Sequence, residues 1–498
     1  MADSALYTYI LAALVAILLY RWRFVNLYDI PTIGPSVPFL SYIGAIRLLS
    51  HAKDMLQEGY QKHKGGIFKI AMLDRWLVVV SGPKLVEELR KLPDEQVSFL
   101  EAAQDLVQMK YTFGHEVHDD PIHVEIIRAH LTRHIASIFP DVRDEIVSAF
   151  NDHIPATSDQ WMPVSVLPVM QNIVARVSNR VFVGLPMCRH EEYLRLAITH
   201  TMTVARTRNL LTWFPEPLKP IIGFFVNESR RGLKHGKAYL GPTIQDRLNK
   251  MRDFGADWSD KPDDMLQWTI DLATDKGKGI GQIVQYVLLT NFAAIHTSSN
   301  SFTQALYHLA ANPEYIKPLR EEVDTVIKEE GWTKVAMQKL KKLDSFMRES
   351  QRMNGINGIS LMRKAMKDIR FSNGLFIPAG TMIVAPAVAM HMDDENYTNA
   401  DVFDPWRFSD LRGEEGEITK HQFVSTSVDY IAFGHGKHAC PGRFFAANEL
   451  KAMLAHTVMN YDVKFENEGV RPPNVWFATT VSPDPTAKVL FRKRQDCF

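Results

Sequence analysis

The longest helical pattern in the chain, from about Gly281 to Ala311, constrains the fold more than any other stretch. At the α-helical rise those residues span roughly 45 Å, a full domain diameter. The first half of the pattern is apolar all round, so it belongs inside a large body, and Asn312-Pro313 ends it. With 46% of 498 residues hydrophobic, there is material for a core that encloses a cofactor. Length alone would suggest about three domains, yet no Gly-, Ser- or Pro-rich linker, internal repeat or low-complexity block divides the chain. The expectation is a mainly α protein with small β-sheets (α+β), built as one large helical domain. Lys+Arg and Asp+Glu both number 57, which argues against a nucleic-acid partner needing a basic excess. Cys188, Cys440 and Cys497 are odd in number and widely spaced. They make no disulfide framework and point to a reducing compartment.

Within the long pattern, His296-Thr297-Ser298-Ser299-Asn300-Ser301 interrupts the apolar run. Hydroxyls in mid-helix compete with the backbone ladder, and a broken local rule in a buried element marks a candidate site. For Ser299 to Ser301 the plainer reading is polar groups satisfied within the core.

The second constraining stretch is Phe433-Gly434-His435-Gly436-Lys437-His438-Ala439-Cys440-Pro441-Gly442. A helical run from Arg443 to Met459 follows, with Ala446, Leu450, Met453, Leu454 and Val458 on one face. Cys440 thus precedes a helix N-terminus, where the dipole and free N–H groups favour a thiolate. Gly434, Gly436 and Gly442 permit positive φ or close approach around a sulfur. Such a sulfur suits a transition metal with an open opposite face. Two plainer readings compete: a buried structural cysteine, and a zinc site of His435, His438 and Cys440. The latter lacks a nearby fourth ligand.

The whole pattern Phe-Gly-x-Gly-x-His-x-Cys-x-Gly resembles the haem-binding loop of the cytochrome P-450 superfamily of haem-thiolate monooxygenases. The resemblance implies haem b with Cys440 as axial iron ligand. It places His438 near a haem propionate, and Phe433 and Gly434 in the loop that cradles the cofactor. Three further marks follow the same order. Ala293-Ala294-Ile295-His296-Thr297-Ser298 is similar to the family's oxygen-activation segment, which implies catalytic roles for Thr297 and for His296. His296 stands where an acid is commoner, and an imidazole can still relay protons near neutrality. Glu349 and Arg352, on a helix with the apolar stripe Leu340, Leu343, Phe346 and Met347, match Glu-x-x-Arg. Pro405-Trp406-Arg407-Phe408 supplies the partner Arg407 for a structural network of bidentate bonds.

Arg363 aligns with a strand-borne arginine that pairs with a propionate in relatives, and Gly355 to Met362 would line the substrate pocket. A helix over Ile122 to Ile138 carries His123 and Arg128. The family usually has Trp-x-x-x-Arg there and the tryptophan is missing; two readings compete, His123 and Arg128 as its stand-ins, or a solvated basic face, the plainer reading for either one alone. Phe68 to Val80 reads as a hairpin, as does Asp368 to Pro378 around Asn373-Gly374.

Ala5 to Tyr20 is almost wholly apolar, followed by Arg21, Trp22 and Arg23. That is shorter than the ~18 residues usually needed but nearly spans a bilayer of ~27 Å. It reads as an uncleaved N-terminal transmembrane anchor. The expected layout is 1–24 anchor, 25–40 proline-bearing hinge and 41–498 haem-thiolate domain, single-pass in the endoplasmic reticulum with the catalytic part cytosolic. Trp213 to Phe225 is apolar despite its prolines, either as core or as an entrance loop that dips into lipid.

The resemblance is narrowest to fungal terpenoid-oxidising members, including kaurene-oxidase-like ones. It implies an NADPH-cytochrome P-450 reductase as partner and an apolar small molecule as substrate. The alternatives are a steroid or xenobiotic hydroxylase, or a haem-thiolate isomerase or dehydratase that needs no reductase.

Overall fold

A computed structural model describes residues 7–15, 27–37, 39–212, 214, 218–226 and 228–495. The chain is mostly helical, with one six-stranded sheet and three smaller ones among the described residues. The six-stranded sheet runs Thr32–Ile33, Ile67–Ala71, Trp76–Val80, Met382–Ala385, Ser360–Ala365, Val97–Ser98. Thr32 pairs in parallel with Lys69, so part of the expected hinge is stitched into this sheet.

The expected hairpin forms between Ile67–Ala71 and Trp76–Val80. Ile369–Arg370 pairs with Phe376–Ile377 across a turn in which Gly374 has φ 85°.

The long helix spans Ile280–Ala311. Its start is closed by the Gln282 side chain, which accepts the Gly279 N–H at 2.6 Å. It packs against helices Val166–Phe182, Glu191–Leu211 and Glu228–Phe254, so it is surrounded as its apolar girth requires. The polar run does not break it, because the hydroxyls bond back to their own helix. Thr297 Oγ1 donates to the Ala293 carbonyl at 2.7 Å, and Ser299 Oγ donates to that of His296 at 3.2 Å.

The helix after the cysteine loop covers Arg443–Asn460. It is buried on nearly every side from Glu449 to Val458, not on one face alone. Gly442 caps it with φ −84°, so of the three loop glycines only Gly434 (φ 72°) and Gly436 (φ 76°) occupy left-handed backbone. A Cβ on Gly436 would run into Arg90.

Of the N-terminal apolar stretch, the described residues Tyr7–Val15 are helical and the remainder lies outside the described residues. Among the described residues no helix is long and apolar enough to cross a membrane. In the 213–225 stretch, Ile221, Phe224 and Phe225 are exposed, the last at 80%. Core packing therefore does not account for them.

Candidate active site

A chamber of about 730 Å³ opens between the cysteine loop, the strand Ser360–Ala365 and the segment around Phe99. Cys440 presents its exposed surface to this chamber. Its N–H donates to the Phe433 carbonyl at 2.7 Å, which closes the loop behind it. Burial pushes the thiol up from its ordinary value, against the N–H groups of Gly442 and Arg443 and the Arg443 guanidinium, which pull it down. The helix N-terminus alone therefore does not secure a thiolate; a bound metal cation would have to complete the balance.

Arg363 lines the chamber. Along Ser360–Ala365 burial alternates, and Arg363 sits on the buried face beside Leu361 and Ala365, where an apolar residue would be routine. Its Nη1 donates to the Met362 carbonyl at 2.7 Å, and no carboxylate among the described residues forms an ion pair with it. Burial lowers it to about 10, with the charge of Asp94 opposing. A buried guanidinium without an ion-pair partner of its own calls for an anion.

His123 and Arg128 line the same chamber. Five residues apart on an α-helix, they would point about 140° apart. The helix Ile122–Glu125 instead widens into a π turn over Ile126–Leu131 before continuing as Thr132–His153. The π turn begins between the two residues, breaks the α-helical phase, and both side chains reach the chamber wall.

His123 is stacked on Tyr286 at 6.0 Å; its Nδ1 is buried without a hydrogen-bond partner, and burial lowers it to about 4. Arg128 donates to the Lys437 carbonyl at 2.8 Å. His438 stacks on Phe99 and bonds Asp94 Oδ1 at 2.6 Å, while Lys437 holds the other oxygen at 2.6 Å. Asp94 was not singled out in the sequence, since only the fold brings it to the loop. His435 bonds Thr426 at 2.9 Å. The two loop imidazoles thus have separate partners, and among the described residues no group of three His, Cys, Asp or Glu could hold a metal ion.

Behind the loop, Arg352 donates two bonds of 2.8 Å to Glu349, both side chains fully buried. Arg407 Nε adds a bond to Glu349 Oε1 at 3.2 Å and donates to the Thr398 carbonyl at 2.7 Å. Arg352 also bonds the carbonyls of His391 and, at 2.7 Å, Ala400. Every charge in this group has partners.

Thr297 and His296 do not line the chamber. Ala293, one turn before Thr297, is exposed in mid-helix, so open space meets the long helix there. His296 turns to the neighbouring helices: Nε2 bonds the Ile198 carbonyl at 2.8 Å, and Nδ1 faces Gln171 Nε2 at 3.4 Å. If the carbonyl takes Nε2–H, Nδ1 is left as the acceptor. Burial lowers the His296 pKa, with the Ile198 carbonyl opposing.

The family model described as Cytochrome P450 matches residues 31–491. The chain belongs to the cytochrome P450 family. This P450 is 53% identical to Cytochrome P450 monooxygenase 151 of Postia placenta, over 99% of this chain and 100% of that protein. It is 39% identical to Cytochrome P450 monooxygenase CYP512U6 of Ganoderma lucidum, over 97% and 95% of the two chains. It is 34% identical to Cytochrome P450 monooxygenase olcJ of Penicillium canescens, over 91% and 85%. The family holds haem through a cysteine thiolate, and its members typically draw electrons from a reductase. The chamber fits that group chemically: it offers a sulfur donor, a buried arginine without an ion-pair partner among the described residues and an unpartnered imidazole nitrogen.

Proposed function

We propose that this P450 inserts one oxygen atom from dioxygen into a C–H bond of an apolar small molecule, a terpenoid of secondary metabolism. The observation that carries the reading is the Cys440 sulfur facing the same chamber as the buried guanidinium of Arg363, which has no ion-pair partner among the described residues. One supplies a donor for iron, the other a cation for an acidic rim. Haem, when bound, supplies the oxygen-activating redox chemistry.

The chain's own residues do the rest. Arg363, Arg128, His438 and His123 would hold the group's acidic edge, and Phe433 and Gly434 would line the rest of its site. The Glu349–Arg352–Arg407 group keeps the segment behind the cysteine loop from moving. Thr297 keeps its hydroxyl on a helical carbonyl from which it can swing to hold a proton, and neutral His296 can accept one at Nδ1. Apolar walls at Val124, Ile356, Ile359 and Val388 exclude water and favour a hydrocarbon skeleton.

The layout of anchor 1–24, hinge 25–40 and catalytic domain 41–498 suits an endoplasmic reticulum membrane and an NADPH-cytochrome P-450 reductase. The exposed Ile221, Phe224 and Phe225 support contact with that membrane. Co-expression with the reductase and a panel of terpenoid and steroid skeletons tests the reading. An oxygenated terpenoid formed only with reductase and NADPH is expected; rearranged product without reductase would overturn it.

A further inference from the structure

A row of polar side chains joins the C-terminal half of the long helix to the last part of the chain, and the chemistry above does not use it. Gln304 and His308, one turn apart on the long helix, are buried, as is Asn354, which ends the helix Lys341–Met353. Arg471 and Asn474 complete the row. The Arg471 guanidinium donates to the Gln304 side-chain oxygen and, at 3.0 Å, to that of Asn474. The Gln304 amide donates to the same Asn474 oxygen at 3.0 Å. Asn474 Nδ2 donates to Asn354 Oδ1 at 2.9 Å, and Asn354 Nδ2 meets His308 Nε2 at 2.9 Å.

The direction of these bonds follows from one residue. An arginine has donors only, so Gln304 and Asn474 turn their oxygens to it. Asn474 then has its amide N–H left for Asn354, which shows it an oxygen and passes its own N–H to His308. Burial, with the charges of Arg471 and Arg352, holds His308 well below its ordinary value. The ring is therefore neutral and accepts at Nε2. Within the row only Arg471 Nε is a buried polar atom without a partner. Asn474 lines the chamber, yet its oxygen and its nitrogen are both engaged by protein, so its part is to hold its neighbours.

Those neighbours form a wall. Asn474 leads directly into Val475–Phe477, which pairs with Thr480–Ser482, and Asn354 leads into Gly355 to Met362. The two segments are bonded to each other: Gly358 N–H donates to the Thr479 carbonyl at 2.7 Å, and Val481 N–H to that of Ile356 at 2.9 Å. From them Trp476, Val481, Ile356 and Ile359 line the chamber that Cys440 also lines. A Cβ on Gly358 would meet the Trp476 ring at 2.9 Å, so the indole lies directly on the backbone there. A two-stranded hairpin is marginal by itself, and Val475 and Phe477 are exposed. Packing alone does not place it. Its tip is tied to the Leu49 carbonyl through the Ala478 N–H, and its root to the polar row.

We propose that Asn474 is a positioning residue that determines specificity. Tied to Arg471, Gln304 and Asn354, it fixes how far the wall of Trp476 and Val481 stands from Cys440, and so the size and shape of molecule the chamber accepts. This rests on the haem-site reading above.

Two measurements on the full chain test it. Asn474→Ala cuts the row at its centre. Hydrogen exchange at the Gly358 and Val481 amides should then quicken several-fold, while the amides of Ile67–Ala71 and Trp76–Val80 keep their native rate; this readout needs neither haem nor turnover. In the ferric haem protein the probes are imidazole and 4-phenylimidazole, which both bind iron through nitrogen, while only the second carries a ring to meet a wall. The preference for 4-phenylimidazole over imidazole should fall several-fold in the variant. Where Asn474→Ala does not accumulate, Arg471→Lys, which keeps the charge and loses the fork, decides by the same two readouts. Native exchange at Gly358 and Val481, exchange that quickens everywhere alike, or an unchanged preference overturns the proposal. If the haem reading fails, the native protein gives no spectral shift with either probe, and the exchange series still decides whether Asn474 pins the wall.

Discussion

The clamp around Glu349 and the middle of the long helix treat buried polar groups in opposite ways. In the clamp, one carboxylate and two guanidiniums satisfy one another and several carbonyls that belong to different segments. In the long helix, Thr297 and Ser299 return their hydroxyls to carbonyls three or four residues back. The first arrangement cannot change without leaving a charge uncompensated. The second can, since a hydroxyl leaving one carbonyl costs about one hydrogen bond, ~0.5–1.5 kcal/mol. A fixed frame beside the cysteine loop and a convertible alcohol on the long helix agree with the oxygenase roles proposed for them.

The contrast is open to attack by substitution. The largest effect belongs to Glu349→Ala, which leaves Arg352 buried and unpaired. The expected loss is about 3–5 kcal/mol, seen as a chain that no longer accumulates as folded haem protein. Wild-type yield and unfolding midpoint would erase the distinction between the two regions. Next comes Thr297→Ala: stability within about 1 kcal/mol of the parent, but a several-fold higher fraction of NADPH diverted to peroxide. Unchanged coupling in that variant would leave the hydroxyl as mere helix filler. The smallest effect concerns neither region. Replacing Ile221, Phe224 and Phe225 by serine should weaken partition onto phospholipid vesicles and leave the haem spectrum as it was, which separates this exposed apolar surface from the buried frame.

Local chemistry made some of this visible in the sequence. The cysteine loop, Glu349 with Arg352, and the hairpin at Asn373-Gly374 each rest on residues a few positions apart, so spacing and turn chemistry carry them. Groups that meet only through the fold were hidden. Asp94 reaches Lys437 and His438 from a distant loop, Ile198 and Gln171 turn His296 aside, and Ser178 crosses to Glu449. The π turn at Ile126–Leu131 lies between these cases. A widened turn has no distinct apolar period by which to find it. The N-terminal helix rests on hydropathy alone, and only its Tyr7–Val15 part lies among the described residues.

The central claim is that the Cys440 sulfur binds the haem iron. The absorption spectrum of the reduced, carbon monoxide-treated protein tests it most directly, native beside Cys440→Ala. The native protein is predicted to give the red-shifted band of thiolate ligation, and the variant to lack it. The same band in both, or a native protein that takes up no haem, would contradict the account.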